Sequence, residues 1–214
     1  MRHFPNFLLN INYNMNYNEI NLYDLESPVF NDEDGIFQSN VNGDCKIKST
    51  SLRLISINDN LLTCEFLYDS NEFYQFILRA DDFYKKNLIE NGVRWFGNSL
   101  NQDNINNIFK GSVKLPNRLP SFPQVSFVIG DDCVVKNRNK KFSINQLSSN
   151  MEIELDLTID SLKYYKNKCY LSYIINKINV VNRSCQVIEN LFQVNFNDDN
   201  INSEIHDITA STFN

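Results

Sequence analysis

Glycine and histidine are the scarce residues of this chain. Only six glycines occur in 214 residues, and none forms a Gly-x-Gly-x-x-Gly, Walker or Gly-x-Ser-x-Gly pattern, so glycine-rich phosphate cradles and the strained nucleophile turn are excluded. The two histidines, His3 and His206, stand near opposite ends. That is a poor supply of the base a Ser or Cys nucleophile needs, and of ligands for a Cys/His zinc site. The five cysteines, at 45, 64, 133, 169 and 185, are odd in number and include no Cys-x-x-Cys pair, which reads as reduced thiols. No stretch of the sequence reaches the ~18 to 20 apolar residues of a membrane span. The apolar start of the chain is broken by Pro5 and Asn6, short of the ~7 to 15-residue core of a secretory signal. The expectation is a cytoplasmic, non-enzymatic protein without cofactor, metal or membrane partner, in which the sequon Asn182-Arg183-Ser184 has no use.

An overall excess of base is lacking as well, since the formal net charge is -6. Its distribution says more than its sum. Residues 1–84 carry 5 Lys/Arg against 13 Asp/Glu, residues 85–183 carry 15 against 8, and residues 184–214 carry none against 5. A basic middle between acidic flanks is the asymmetry that marks a polyanion site, because the local field and not the total charge steers a ligand. The last 31 residues, without Lys or Arg and with one aromatic, Phe213, after Phe196, read as an acidic tail. About 35 asparagines look like the imprint of an A+T-rich coding sequence.

Along the chain, residues 1–44 include Asn10-Ile11-Asn12-Tyr13-Asn14-Met15-Asn16-Tyr17-Asn18, whose alternation suits an edge strand and whose low complexity suits an arm. From Cys45, the stretches 46–57, 61–68 and 72–80 are rich in β-branched and aromatic residues and separated by Asp59-Asn60 and Asp69-Ser70-Asn71, which predicts a three-stranded meander. Short helices are expected over 81–90 and 103–110, the second ending before Gly111. Pro116, Pro120 and Pro123 hold the next stretch in a loop, followed by a strand over 124–129. Met151, Ile153, Leu155, Leu157 and Ile159 alternate with Glu152, Glu154, Asp156, Thr158 and Asp160, a half-buried strand. Lys166-Asn167-Lys168 turns the chain into 169–181, apolar on both faces as a central strand would be. Strands with short helices and no βαβ rhythm predict a mainly β fold, an antiparallel barrel with insertions. The domain reading is an arm or edge strand over 1–44, the barrel over 45–183 and the tail over 184–214.

Two chemistries can be drawn from the side chains. Glu152, Glu154 and Asp156 on one strand face could share a divalent ion, as in a metal-dependent nuclease, or simply form a solvated face; Asp131-Asp132 reads as a turn. Between 85 and 183, bases lie beside aromatics: Lys85-Lys86 after Phe83-Tyr84, Arg94-Trp95-Phe96, Lys114 and Arg118 before Phe122, Lys136 to Phe142, and Lys163-Tyr164-Tyr165-Lys166 with Lys168-Cys169-Tyr170. Cations follow phosphates and flat rings stack on bases, so this pairing suits single-stranded nucleic acid. Trp95 is a stacking platform or a core anchor, and Lys136 to Lys141 is a binding patch or a solvated hairpin tip.

The stretch Asn91-Gly92-Val93-Arg94-Trp95-Phe96-Gly97 with the helix after it, and the hairpin from Ser161 through Lys163-Tyr164-Tyr165-Lys166-Asn167-Lys168-Cys169-Tyr170 to Tyr173, resemble the OB-fold single-stranded DNA-binding proteins of large cytoplasmic DNA viruses and cytoplasmic linear plasmids. These are similar in turn to the bacteriophage T7 single-stranded DNA-binding protein. The resemblance implies an OB-like β-barrel that binds single-stranded DNA during replication without much sequence preference. On this reading Arg94, Lys114, Arg118, Lys166 and Lys168 are expected to neutralise phosphates, and Trp95, Phe96, Tyr164, Tyr165 and Tyr170 to offer stacking platforms. The resemblance further implies a C-terminal tail, here Asp198, Asp199, Glu204, Asp207 and Phe213, that competes with DNA and recruits DNA polymerase or other replication proteins. The alternative from another class is a non-catalytic β-rich subunit of a viral or plasmid transcription or virion complex.

Overall fold

The computed structural model describes residues 15–33, 35–116, 122–137 and 140–181. Ten strands and two helices follow in order: β1 (Val29–Asn31), β2 (Ile36–Lys48), β3 (Leu52–Asn58), β4 (Leu61–Phe66), α1 (Asn71–Phe96), α2 (Gln102–Ile108), β5 (Phe109–Lys110), β6 (Val113–Lys114), β7 (Gln124–Asn137), β8 (Lys140–Lys141), β9 (Glu152–Tyr165) and β10 (Lys168–Val180). The ring β9-β3-β4-β7-β10 closes on itself through the β9–β10 pairing. Only the β7–β10 contact within that ring is parallel. This is an OB-like barrel, as expected from the sequence; it has five strands, and the β7–β10 contact departs from the antiparallel pairing expected throughout.

The barrel closes because its strands alternate. Ile153, Leu155, Leu157 and Ile159 of β9 are buried, and they share the interior with Leu52 and Leu54 of β3, Leu62 and Cys64 of β4, Val125 and Phe127 of β7, and Tyr173 and Ile175 of β10. β2 and β3 run as one line along β9, kinked at residues 49–51. Ser49 stitches the kink: its N–H donates to the Leu155 carbonyl at 2.8 Å and its Oγ accepts from the Leu155 N–H at 2.8 Å. A buried hydroxyl is thereby satisfied and the ladder is continuous where the strand bends. Beyond the ring, β2 continues past the barrel and carries β1, while β5 lies on β10 and β6 and β8 lie on β7.

The stretch 72–80, expected as a third strand, is helical, and the short helix expected over 81–90 belongs to the same 26-residue α1. The reason is periodicity. Phe73, Phe76, Ile77, Ala80, Tyr84 and Leu88 are all buried and recur at the i, i+3, i+4, i+7 spacing of one helix face, whereas the same residues in a strand would be split between two faces. Each such side chain contributes roughly 1.5–3 kcal/mol by burial, which outweighs the local β preference of Phe, Tyr and Ile. The stripe lies on the barrel, with the Phe73 ring 6.4 Å from Phe127 and Phe127 edge-on to Tyr173 at 5.9 Å. α1 ends at Gly97, which takes the left-handed conformation (φ 68) and returns its N–H to the Val93 carbonyl, a glycine C-cap. α2 matches the helix expected over 103–110 but stops at Ile108, with Asn101 as its N-cap and Asp103 in its first turn.

The remaining strands hold two irregularities. Asp131-Asp132, expected as a turn, sits inside β7, where its register with β10 jumps from Ile175↔Ile129 to Lys177↔Val134. The 151–160 alternation and the 166–168 turn are as expected, but β9 runs on to Tyr165. No helix among the described residues is long and apolar enough to cross a membrane, and the four described cysteines are free.

Candidate nucleic-acid interface

A bulge decides which side chains of the β9–β10 hairpin face outward. Opposite β10 the pairing passes from Tyr173↔Ile159 to Ser172↔Ser161, so Asp160 is an extra residue on β9 and the alternation reverses there. Before it, Glu152, Glu154, Asp156 and Thr158 point out; after it, Leu162 and Tyr164 lie on the inner face, and Lys163 and Tyr165 on the outer one. The bulge therefore divides one sheet face into two halves. On the first, acids and bases are interspersed: Glu154 meets Lys48 at 3.4 Å and Asp156 meets Lys177 at 3.5 Å, and Glu152 pairs with Arg53 across the strands. Among the described residues no three of His, Cys, Asp or Glu gather around a position for a metal ion.

The basic half is assembled from separate strands. Tyr170 of β10 pairs with Lys163 of β9 on one side and with Lys110 of β5 on the other; Lys163 pairs in turn with Gln38 of β2, and Gln38 with Val29 of β1. Cross-strand partners share a face. Val29, Gln38, Lys163, Tyr170 and Lys110 thus form one row over five strands, with a lysine on each side of Tyr170 at about one strand spacing, ~4.8 Å. The next row toward the hairpin tip pairs Tyr165 with Lys168. At the tip, Lys166 adopts φ 54, and its Nζ lies 5.0 Å from the Tyr165 ring centroid. Lys168 donates to the Asn107 carbonyl, which ties the hairpin to the end of α2. Tyr165 and Tyr170 remain 52% and 39% exposed.

The inner face of the same strands carries a second row, Phe109, Cys169, Tyr164, Phe37 and Phe30. Phe109 and Cys169 are buried. Tyr164 is half-buried; its hydroxyl is 3.0 Å from Ser39 Oγ, and burial pushes its phenol well above the usual range. The last turn of α1 closes on this row, with Phe96 edge-on to Tyr164 at 5.9 Å and to Trp95 at 6.3 Å. Trp95 packs against the core, and its buried indole N–H has no partner among the described residues. Phe96 and Arg94 are exposed.

Of the residues singled out from the sequence, the structure thus gathers Tyr165, Lys166, Lys168 and Tyr170 as exposed groups on the outer side and tip of one hairpin, whereas Phe96 packs with Tyr164 and Trp95 on its inner side and Arg94 is exposed on the last turn of α1. Lys114, exposed on β6, pairs with Gln124; counted back along the parallel register from Val128↔Ile174, it stands at the level of Tyr170. Arg118 and the tail residues Asp198, Asp199, Glu204, Asp207 and Phe213 lie outside the described residues. The expected lead of Trp95-Phe96-Gly97 into a helix is met only by Gly97, because Trp95 and Phe96 are the end of α1. Lys136 faces Lys141 across the β7–β8 hairpin and Lys140 pairs with Asn137, away from this row. Lys110 and Gln38 were not singled out from the sequence, since only strand pairing brings Lys110 beside Tyr170 and Gln38 beside Lys163. Lys163 stood in a basic-aromatic run without a role; the signal for it was Leu162, which breaks the outward alternation and so betrays the bulge.

No protein-family model matches the chain, and no curated protein does. Among solved structures it is similar to the single-stranded DNA-binding protein from bacteriophage Enc34 in complex with ssDNA, at 7% identity and a TM-score of 0.43, over 74% of this chain and 96% of that one. A second structure of the Enc34 protein gives 9% identity and a TM-score of 0.42, over 73% and 89%. Likeness at this level does not say which residues touch a ligand.

Proposed function

We propose that this protein binds single-stranded DNA without much sequence preference and acts in replication, protecting and organising displaced strands. The observation that carries the reading is the outward row in which Tyr170 stands between Lys163 and Lys110, followed by the Tyr165 and Lys168 pair. Rings with an exposed surface flanked by cations at one strand spacing offer a base a stacking partner and its phosphates a counter-charge together. Stacking and phosphate contacts read no base edge, so the binding is sequence-tolerant. No bond-making step is assigned to the site. The acidic tail, with Asp198, Asp199, Glu204, Asp207 and Phe213, competes with DNA for the basic face and is the element offered to DNA polymerase or other replication proteins, in a cytoplasmic protein of viral or linear-plasmid type.

Titration of oligo-dT at several salt concentrations, read by Trp95 fluorescence and by gel shift against a duplex of equal length, tests the reading. If Lys110, Lys114, Lys163, Lys166 and Lys168 each neutralise one phosphate, log K falls against log salt with a slope of about -3.5, from ~0.7 per phosphate on single strands. A flat salt response, or a duplex bound as tightly as oligo-dT, refutes it.

A further inference from the structure

The layer that carries the basic row ends on its other side at β1, and that edge has the opposite character. We propose that β1 is a docking edge for an extended, Lys- or Arg-rich segment of a partner protein, added as one more strand of the sheet. Among the described residues no strand pairs with the outer side of β1. Val29, Phe30 and Phe37 are 51%, 53% and 53% exposed, and the two rings meet edge-on at 5.2 Å. Val29 lies on one face of the layer and the phenylalanines on the other, so an added strand finds apolar contacts for alternate side chains on both faces, while main-chain hydrogen bonds hold it. β1 is short and follows Pro28, but the lysines that commonly guard such an edge are missing, since no Lys or Arg occurs between Arg2 and Lys46.

Charge selects the occupant. Glu26, Asp32 and Glu33 rim the edge, all exposed. A wholly acidic rim repels phosphates and draws a cationic chain, so these rings are not base platforms although they share a sheet with the basic row. One sheet thus presents a basic aromatic end for nucleic acid and an acidic aromatic end for polypeptide. The second inference stands independently of the first.

The test uses the full chain without DNA and a fluorescein-labelled peptide, Lys-Val-Lys-Phe-Lys-Val-Lys-Phe, followed by anisotropy. Its partners are the same peptide with Glu for Lys, and one N-methylated at alternate peptide groups, which removes the donors a strand needs. Binding of the Lys peptide, at least tenfold weaker for both partners, is expected. Asp32→Asn with Glu33→Gln, and separately Phe30→Ser with Phe37→Ser, are expected to weaken it at least tenfold while each variant still melts cooperatively and still binds oligo-dT. No binding, equal binding by the N-methylated peptide, or equal binding by either double variant overturns the proposal. Failure of wild-type protein to bind oligo-dT overturns the reading of the basic face and leaves this one standing.

Discussion

Replacing Tyr170 and Lys110 separately dissects the proposed face, because the two side chains act by different physics. Tyr170 is 39% exposed, so one part of its ring is available to a base while the rest rests on the sheet. Base stacking on an aromatic is worth roughly 1–3 kcal/mol; with a partly covered ring the lower half of that range applies, and Tyr170→Ala is expected to weaken oligo-dT binding about 5- to 30-fold at any salt concentration. Its salt slope is unchanged, since no phosphate contact is lost. Lys110→Gln leaves the ring in place and removes one cation, so the slope shallows by about 0.7 and the loss of affinity is largest at low salt. Tyr170→Phe keeps the stack and stays close to wild type. The assay is anisotropy of a labelled dT oligomer across a salt series, with thermal melts to confirm that each variant is folded. An unchanged affinity for Tyr170→Ala, or an unchanged slope for Lys110→Gln, refutes the assignment of that residue to the interface.

Asp81 offers a test of the core. It lies on the buried face of α1, where it accepts hydrogen bonds from the Ser112 N–H at 2.8 Å and the Ser112 hydroxyl at 2.6 Å, yet burial outweighs these and pushes its carboxyl up to about 6. The folded state therefore holds the proton more tightly than the unfolded one. The stabilisation is complete below about pH 4 and is lost as pH rises through 6, so Asp81→Asn gains on wild type by on the order of 2–3 kcal/mol between pH 4 and pH 8, at about 1.4 kcal/mol per pKa unit; denaturant melts at the two pH values check this, and a constant difference refutes it. Gly97→Ala meets no neighbour within 4 Å but must hold φ 68, and is expected to cost about 1–2 kcal/mol, read as a lower thermal midpoint. Deleting residues 198–214 is expected to tighten oligo-dT binding at low salt and to change little at high salt; equal affinity at low salt removes the tail from the mechanism.

Much of the barrel was legible because its strands follow elementary periodicity. The 151–160 alternation and the Lys166-Asn167-Lys168 turn define the β9–β10 hairpin without any tertiary information, and the basic-aromatic runs beside it supply its exposed Tyr165, Lys166, Lys168 and Tyr170. The same reasoning misread residues 72–80. Phe, Tyr and Ile there favour strands locally, and only their 3.6-residue spacing against a waiting apolar barrel makes them helical. Trp95 and Phe96, expected in a turn that leads into a helix, end a long one instead, and Gly97 alone makes the turn.

What the sequence determines by itself is composition along the chain: an acidic first third, a basic aromatic middle, and alternating strands that close a mainly β barrel. Periodicity and charge are local properties, so they survive without the fold. What only the tertiary structure decides is which of those side chains share a surface. One extra residue at Asp160 turns Lys163 and Tyr165 outward and Tyr164 inward. The pairing of β5 with β10 sets Lys110 beside Tyr170, 60 residues away in sequence. β2, running past the barrel, separates a basic end from an acidic one within a single sheet. Each of these depends on register, and register is set by contacts between segments far apart in the chain, which no window of sequence contains.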